Sequence, residues 1–235
     1  MRELYVIAGP NGSGKSTLVA SLVKHNHGDF FSTYPYICPD TIANQFPFNL
    51  IEERDERNRK AADEAQRIRD NYVRKGQSFM FETVFSTPAK LHDLQVAKDA
   101  GYLIHFIFVT LNDPAKNVER VAKRMEDGGH DVDTDAILRR YPRCMNNLVH
   151  GLLLSDDAII YDNTVQYRLV MTKEVTNSGA SYVLYNRAEC QPWVTSSLLI
   201  PLESKGIEIT ERRRWRRICV PPAFRPFVSN SGIPE

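Results

Sequence analysis

Eight residues near the start of the chain limit its fold most: Gly9-Pro10-Asn11-Gly12-Ser13-Gly14-Lys15-Ser16. They fit the pattern G-x-x-x-x-G-K-[ST]. Leu4-Tyr5-Val6-Ile7-Ala8 reads as a buried strand leading in, and Lys15 to Val23 as a helix leading out. A strand, a glycine-rich turn and a helix in that order are the context in which this pattern marks a phosphate loop. The glycines let the backbone curl until successive N–H groups face one point, and the positive end of the following helix adds to their field. Gly9, Asn11, Gly12, Ser13, Gly14 and Thr17 are therefore the expected nucleotide cradle. Lys15 is expected on the β- and γ-phosphates of ATP, and the Ser16 hydroxyl on Mg²⁺.

Beyond the loop, strands and helices alternate. Tyr36-Ile37-Cys38 reads as a short strand ended by Pro39 and Asp40, and Asp40 can cap a short helix from Thr41 to Gln45. Ile51 to Lys75 reads as a charged helix with a buried stripe at Ala61, Ala65, Ile68 and Tyr72. Its remaining charges read as a solvated face, and Gly76 stops it. Ser78 to Phe81 is a third strand running into Glu82-Thr83, and Pro88 opens a helix that ends near Gly101. Leu103 to Leu111 is the most apolar run and suits a central parallel strand covered on both faces. Pro114 opens a helix, Asp127-Gly128-Gly129-His130 breaks it, and Thr134 caps another that reaches about Leu154. Ile137, Tyr141, Leu148 and Leu152 line its apolar side, and Pro142 should bend it or reset its first turn. Ala158 to Tyr161 is a fifth strand ending in Asp162-Asn163-Thr164.

This order predicts an α/β protein with a doubly wound parallel sheet of P-loop kinase type. Its expected parts are a core over residues 1–165 with lid helices at about 114–154, an extension over 166–220 and a loose tail over 221–235. In the extension, Arg168 to Lys173 and Ala180 to Tyr185 predict a hairpin around Asn177-Ser178-Gly179, and a helix is expected after Pro192. Ligands of such sheets sit outside the carboxyl ends of the strands, which puts Asp40, Glu82 and the phosphate loop on one rim.

The chain has 235 residues, 42% of them hydrophobic and 25% charged, with a net charge of +1. That suits one large domain with a sizeable core and gives no global reason to expect nucleic acid or a membrane. The four cysteines, Cys38, Cys144, Cys190 and Cys219, have neither zinc-site nor disulfide spacing. The chain enters its first strand without a basic-then-apolar leader, so the expected compartment is the cytoplasm.

Three features favour a small-molecule kinase. Asp40 is placed to accept the proton of an acceptor hydroxyl as it attacks the γ-phosphate. Glu82 is placed to bind Mg²⁺ through water or to hold the acceptor's hydroxyls, with Thr83 beside it, and Asp162 and Asp40 compete with it as the metal-side acid. Arg120 and Arg124 lie one turn apart on one helix, and Arg139, Arg140 and Arg143 lie on the next. Arginines on a lid supply positive charge where charge spreads in phosphoryl transfer. His130 is a candidate phosphate contact, and His105 reads as a core histidine. The run Glu211 to Arg217, five arginines around Trp215, offers a different reading: a nucleotide-gated protein binding nucleic acid or a partner. Such a short run is more often a solvated or partner-facing surface.

Together, Gly9 to Ser16, Pro39-Asp40, Gly76-Gln77-Ser78-Phe79-Met80-Phe81-Glu82-Thr83, Gly128-Gly129-His130-Asp131-Val132 and Ile137 with Arg139-Arg140-Tyr141-Pro142-Arg143 resemble the zeta-toxin family of P-loop kinases. The resemblance covers roughly residues 1 to 165. It implies ATP- and Mg²⁺-dependent phosphorylation of the sugar of UDP-N-acetylglucosamine, and for several members an antitoxin partner that blocks the nucleotide site. Carried over by position, Asp40 is the base, Lys15 binds phosphate, Ser16 binds Mg²⁺ and Glu82 contacts the acceptor. Arg124 with Arg139 or Arg140 supplies the lid. The Gly-His turn and Arg139-Arg140-Tyr141 depart from the classical toxins, and the resemblance ends near Arg168.

Overall fold

A computed structural model describes residues 1–24, 33–45, 54–126, 132–177 and 179–212. The Asp127 to His130 turn, His25, His27, Cys219, Arg213 to Arg217, the tail from Pro221 and the start of the helix expected at Ile51 lie outside the described residues. Five strands run parallel: β1 (Arg2–Ala8), β2 (Tyr36–Ile37), β3 (Phe79–Thr83), β4 (Tyr102–Thr110) and β5 (Asp157–Asp162). β6 (Arg168–Thr176) pairs antiparallel with β5, β7 (Gly179–Tyr185) pairs antiparallel with β6, and β8 (Thr210–Arg212) pairs parallel with β7. The order is β2-β3-β1-β4-β5-β6-β7-β8. The parallel sheet expected over the first 162 residues is present, the hairpin expected in the extension continues it, and a short edge strand follows. A tight two-strand connection can only be antiparallel, because a parallel return needs a crossover.

The helices are α1 (Lys15–Lys24), α2 (Pro39–Ala43), α3 (Arg54–Lys75), α4 (Pro88–Asp99), α5 (Pro114–Glu126) and α6 (Thr134–Leu154). A last one, α7, runs through Pro192–Val194, a π-wound turn at Thr195–Leu199, and Ile200–Glu203. Side chains alternate across β1 and β4. Leu4, Val6, Ile104, Phe106 and Phe108 face a core shared with α3, α4, α6 and α7. Tyr5, Ile7, Ile107 and Val109 face a second core under α1. Both faces are covered, which explains why β4 reads as one apolar run. Among the described residues, no helix is long and apolar enough to cross a membrane.

Two helix starts differ from the sequence reading. The residue before α2 is Cys38, which makes no side-chain cap bond, and Asp40 lies inside the first turn. Pro39 takes the first helical position, where its missing N–H costs nothing, and that moves the boundary ahead of Asp40. For α6 the cap is Asp133, whose carboxylate accepts from the Ala136 N–H at 3.0 Å, rather than Thr134. Pro142 sits well inside α6, so it does not reset the first turn. At Gly151, α6 crosses the rings of Phe85 and Phe106 so closely that a β-carbon would collide with both.

The C-terminal end of α6 is closed by Lys173 on β6. Its ammonium donates to the carbonyls of Leu152 (2.9 Å), Leu153 (3.1 Å) and Ser155. A cation is favoured at that end of a helix, where carbonyls lack partners. Burial, with Lys98 nearby, pushes the Lys173 ammonium down to about 8. The folded value lies below that of a free lysine, so the unfolded chain holds this proton more tightly. Its contribution to stability therefore rises with pH between about 8 and the free-lysine value. Lys173→Met should cost about 2 kcal/mol at neutral pH, because it strips the donor from buried carbonyls. It should also abolish that pH-dependent gain, and urea unfolding of both proteins across the window checks both effects.

Candidate active site

Strand register brings the sequence candidates to one rim. The last residue of β1, Ala8, lies opposite Thr83 on one side and Phe108 on the other, and Ile37 lies opposite Phe81. The phosphate loop, Glu82-Thr83 and Cys38 to Asp40 therefore leave the sheet at the same level, where the chain turns from β1 toward the far edge at β2. That is the crevice in which ligands of open α/β sheets bind.

Gly9, Gly12 and Gly14 all have positive φ, so the loop uses conformations that side chains disfavour. Gly14 is also hemmed in from outside. A β-carbon there would run into the Asn163 amide and the Tyr167 hydroxyl. Both groups brace the loop: Asn163 Nδ2 donates to the Ser13 carbonyl (2.9 Å) and the Tyr167 hydroxyl to the Gly14 carbonyl (2.5 Å). On the other flank Asn117 Nδ2 donates to the Asn11 carbonyl (2.5 Å). Gly14→Ala should leave the chain folded but weaken binding of an ATP analogue about tenfold or more, the expected result of 1–3 kcal/mol of local strain. Titration with a fluorescent analogue checks it.

Lys15 is 5% exposed, and its ammonium donates to the carbonyls of Gly9 (2.9 Å) and Pro10 (2.8 Å). Glu82 is almost as buried and lies 3.9 Å from that ammonium. The Ser16 hydroxyl donates to the Glu82 carboxylate at 3.0 and 3.2 Å, and the Tyr36 hydroxyl donates to it at 2.6 Å. Burial and the Glu82 charge hold the Tyr36 proton well above the usual tyrosine range, so this bond stays a donation to a carboxylate. A hydroxyl and a carboxylate side by side are hard oxygen donors, the set Mg²⁺ prefers. Of the three candidate acids, Glu82 is the one beside Ser16. Asp162 is used elsewhere: its two oxygens accept from the Trp193 indole N–H (2.6 Å) and the Thr164 N–H (2.8 Å). No periodicity links Trp193 to Asp162, so nothing local in the chain announces this pair.

Asn11, Gly12, Gly14, Lys15, Ser16 and Thr17 open with Glu82, Asn163 and Tyr167 into one cleft of about 1020 Å³, whereas Gly9, Ser13, Tyr36 and Asp162 are not among its lining residues. Asp40 lies on it and is exposed to it. Thr83 lines it too, and its hydroxyl accepts from the Phe85 N–H at 3.1 Å. Phe85 is buried with a positive φ of 60°, held by Asn147, whose amide donates to its carbonyl at 2.9 Å. A strained non-glycine residue beside a cleft is characteristic of a constrained functional loop. Nothing in the sequence around Phe85 announces it.

Arg120, Arg124, Arg139 and Arg140 line the cleft, and Arg143 is not among its lining residues. Arg120 donates to the carbonyls of Asn163 (2.8 Å) and Thr164 (3.3 Å), tying α5 to the loop after β5. Arg139 lies 3.9 Å from Asp133 and is well exposed. Among the described residues, eight lysines and arginines line the cleft against three carboxylates. Its charge is far more positive than the chain's net +1. Sequence reasoning missed three of those cations, Arg59, Arg69 and Lys90. Arg69 belongs to the face of α3 read as solvated, yet it is only 5% exposed. Its spacing of four from Ala65, itself four from Ala61, was the available signal.

A phosphate loop between β1 and α1, with an acid at the end of the neighbouring strand, defines a P-loop protein with a kinase-like α/β fold. The family model described as an AAA domain matches residues 4–144, and the chain belongs to that family. No curated protein matches the chain. Among solved structures, it is similar to a chain of the PezAT chromosomal toxin–antitoxin system of Streptococcus pneumoniae. The TM-score is 0.53 at 16% identity, over 73% of this chain and 72% of that one. It is also similar to a chain of the AvrRxo1-ORF1:AvrRxo1-ORF2 structure with sulphate ions, with a TM-score of 0.61 at 12% identity over 77% of this chain. A second AvrRxo1-ORF1:-ORF2 structure, with ATP, gives 0.60 at 11% identity. This chain spans 60% of each of those AvrRxo1 chains. At such identities the likeness is one of fold.

Proposed function

We propose that this chain is a kinase of the zeta-toxin type, moving the γ-phosphate of ATP to a hydroxyl of a small metabolite, with UDP-N-acetylglucosamine as the leading acceptor. The observation that carries the reading is the shared cleft. The phosphate loop and Asp40 line the same cleft, and its volume of about 1020 Å³ is above the roughly 300–1,000 Å³ of ordinary single-ligand pockets. A hydrolase needs room for a water; this cleft has room for a second substrate.

On this reading the loop amides and Lys15 hold the triphosphate, and Ser16 with Glu82 holds Mg²⁺, which neutralises charge on the phosphates. Asp40 accepts the proton of the acceptor hydroxyl as its oxygen attacks phosphorus. Thr83 and Glu82 border the acceptor. Arg120, Arg124, Arg139 and Arg140 meet charge that spreads over the transferred group. Residues 1–165 are the kinase core, with α5 and α6 as its lid, and residues 166–220 are an extension of it. The fold likeness to a chain of a toxin–antitoxin system supports an antitoxin as partner. The fold likeness to a structure holding ATP supports the nucleotide. The compartment in this reading is the cytoplasm.

Incubation with ATP, Mg²⁺ and UDP-N-acetylglucosamine, followed by mass spectrometry, tests the acceptor. The expected result is a nucleotide sugar heavier by one phosphoryl group. An unchanged nucleotide sugar, with ATP consumed only when another hydroxylated metabolite is added, would replace the acceptor and keep the chemistry.

A further inference from the structure

Two cations of the cleft lining, Arg69 and Lys90, lie outside the phosphate loop in sequence and have no role in the nucleotide site proposed above. Arg69 on α3 packs its guanidinium 5.0 Å from the centroid of the Phe81 ring, one residue before Glu82. One terminal nitrogen donates to Gln66 Oε1 and lies 3.6 Å from Asp93. The Nε is buried without a hydrogen-bond partner. Lys90 on α4 donates to Gln66 Oε1 and to Asp93 Oδ2, both at 2.9 Å. Both cations line the cleft. Their counter-charges do not. Asp70 and Asp93 line a separate cavity of about 230 Å³ behind, and Arg69 borders both spaces. The cleft therefore meets the positive side of this network, with the carboxylates hidden from it.

We propose that Arg69 and Lys90 form a second anion site in the cleft, distinct from the phosphate loop, that takes a phosphate or carboxylate group of the acceptor. The proposal rests on the kinase reading of the cleft and adds the charge class of its second substrate. The planar guanidinium of Arg69 and the rotatable ammonium of Lys90 offer N–H donors from two sides to a planar or tetrahedral oxyanion in the cleft. Burial is the largest influence on both side chains and pushes both below their usual range. An anion between them would relieve that cost, because charge interactions strengthen where water is excluded. A neutral acceptor brings no counter-charge to the two cations, and a cationic one is repelled. Anchored there by its charge, an acceptor spans toward Asp40 and the phosphate loop with its hydroxyl between them.

The test fills the nucleotide site with Mg²⁺ and a non-hydrolysable ATP analogue, then titrates inorganic pyrophosphate and, separately, malonate by calorimetry. The expected result is saturable binding of at least one anion to the wild type. Pyrophosphate identifies a phosphorylated acceptor and malonate a carboxylated one. Arg69→Gln and Lys90→Met should each weaken that binding by about tenfold to a hundredfold, the worth of a charge-assisted hydrogen bond, while the analogue's own affinity stays unchanged. Arg69→Gln risks the fold because the residue is buried; Lys90→Met is more exposed and decides the matter alone, with thermal unfolding as its control. The proposal is overturned if neither anion binds, or if both variants bind as the wild type does. Failure of the ATP analogue to bind would strike the kinase reading instead. The Lys90→Met comparison would still decide the second site.

Discussion

Lys15→Met is expected to abolish phosphoryl transfer, by about a thousandfold or more, and to weaken ATP binding. Lys15 is the cation of the phosphate loop itself. It is buried, donates to two loop carbonyls and sits 3.9 Å from Glu82. Methionine keeps the length and loses the charge, so the variant removes positive charge from where it develops most strongly opposite. Removing one pre-set donor to a transition-state anion costs two to three orders of magnitude in well-studied sites, and Lys15 also carries a full charge. The fold should survive, because Glu82 keeps its bonds from Ser16 and Tyr36. The expected stability cost is about 1 kcal/mol for the lost partner. Steady-state turnover with analogue titration and thermal unfolding separates these effects. Near-normal turnover in a folded variant would remove the loop from the chemistry.

Asp40→Asn is the second large effect, and its pattern differs. Asp40 is exposed to the cleft, and the cap before α2 falls on Cys38, which makes no side-chain bond. The carboxylate is therefore not tied to the helix start, and replacing it should cost little stability. Transfer should fall by about 10²- to 10⁴-fold, the usual worth of a positioned general base. ATP affinity should change less than twofold, because none of the loop contacts involve Asp40. Equal loss of binding and turnover would make Asp40 a structural residue.

What the sequence revealed follows from how local each signal is. The strand–loop–helix start is a contiguous pattern, and it was read nearly to the residue, as was β4 from its apolar run. Glu82 was legible because a lone acid after Phe79-Met80-Phe81 sits at a strand end. Its contact with Ser16 needed the register of β3 against β1, which sequence alone did not supply. Arg69 was missed because charge was taken as exposure; the helix buries it by stacking it on Phe81 and giving it Gln66 and Asp93. The turn at Phe85 and the Trp193–Asp162 bond join residues distant in sequence or strained in backbone, and neither leaves a periodic trace. The α6 cap moved by one residue because Asp133 and Thr134 are both able to cap and geometry chose Asp133, while at α2 Pro39 opened the helix and set its start ahead of Asp40.

The most direct test of the phosphotransferase reading follows radiolabelled γ-phosphate from ATP and Mg²⁺ with UDP-N-acetylglucosamine, comparing the wild type with Asp40→Asn. The account predicts a labelled nucleotide sugar from the wild type and almost none from the variant, with both proteins binding ATP alike. Release of free phosphate alone, at a rate that neither the sugar nor Asp40→Asn changes, would contradict it.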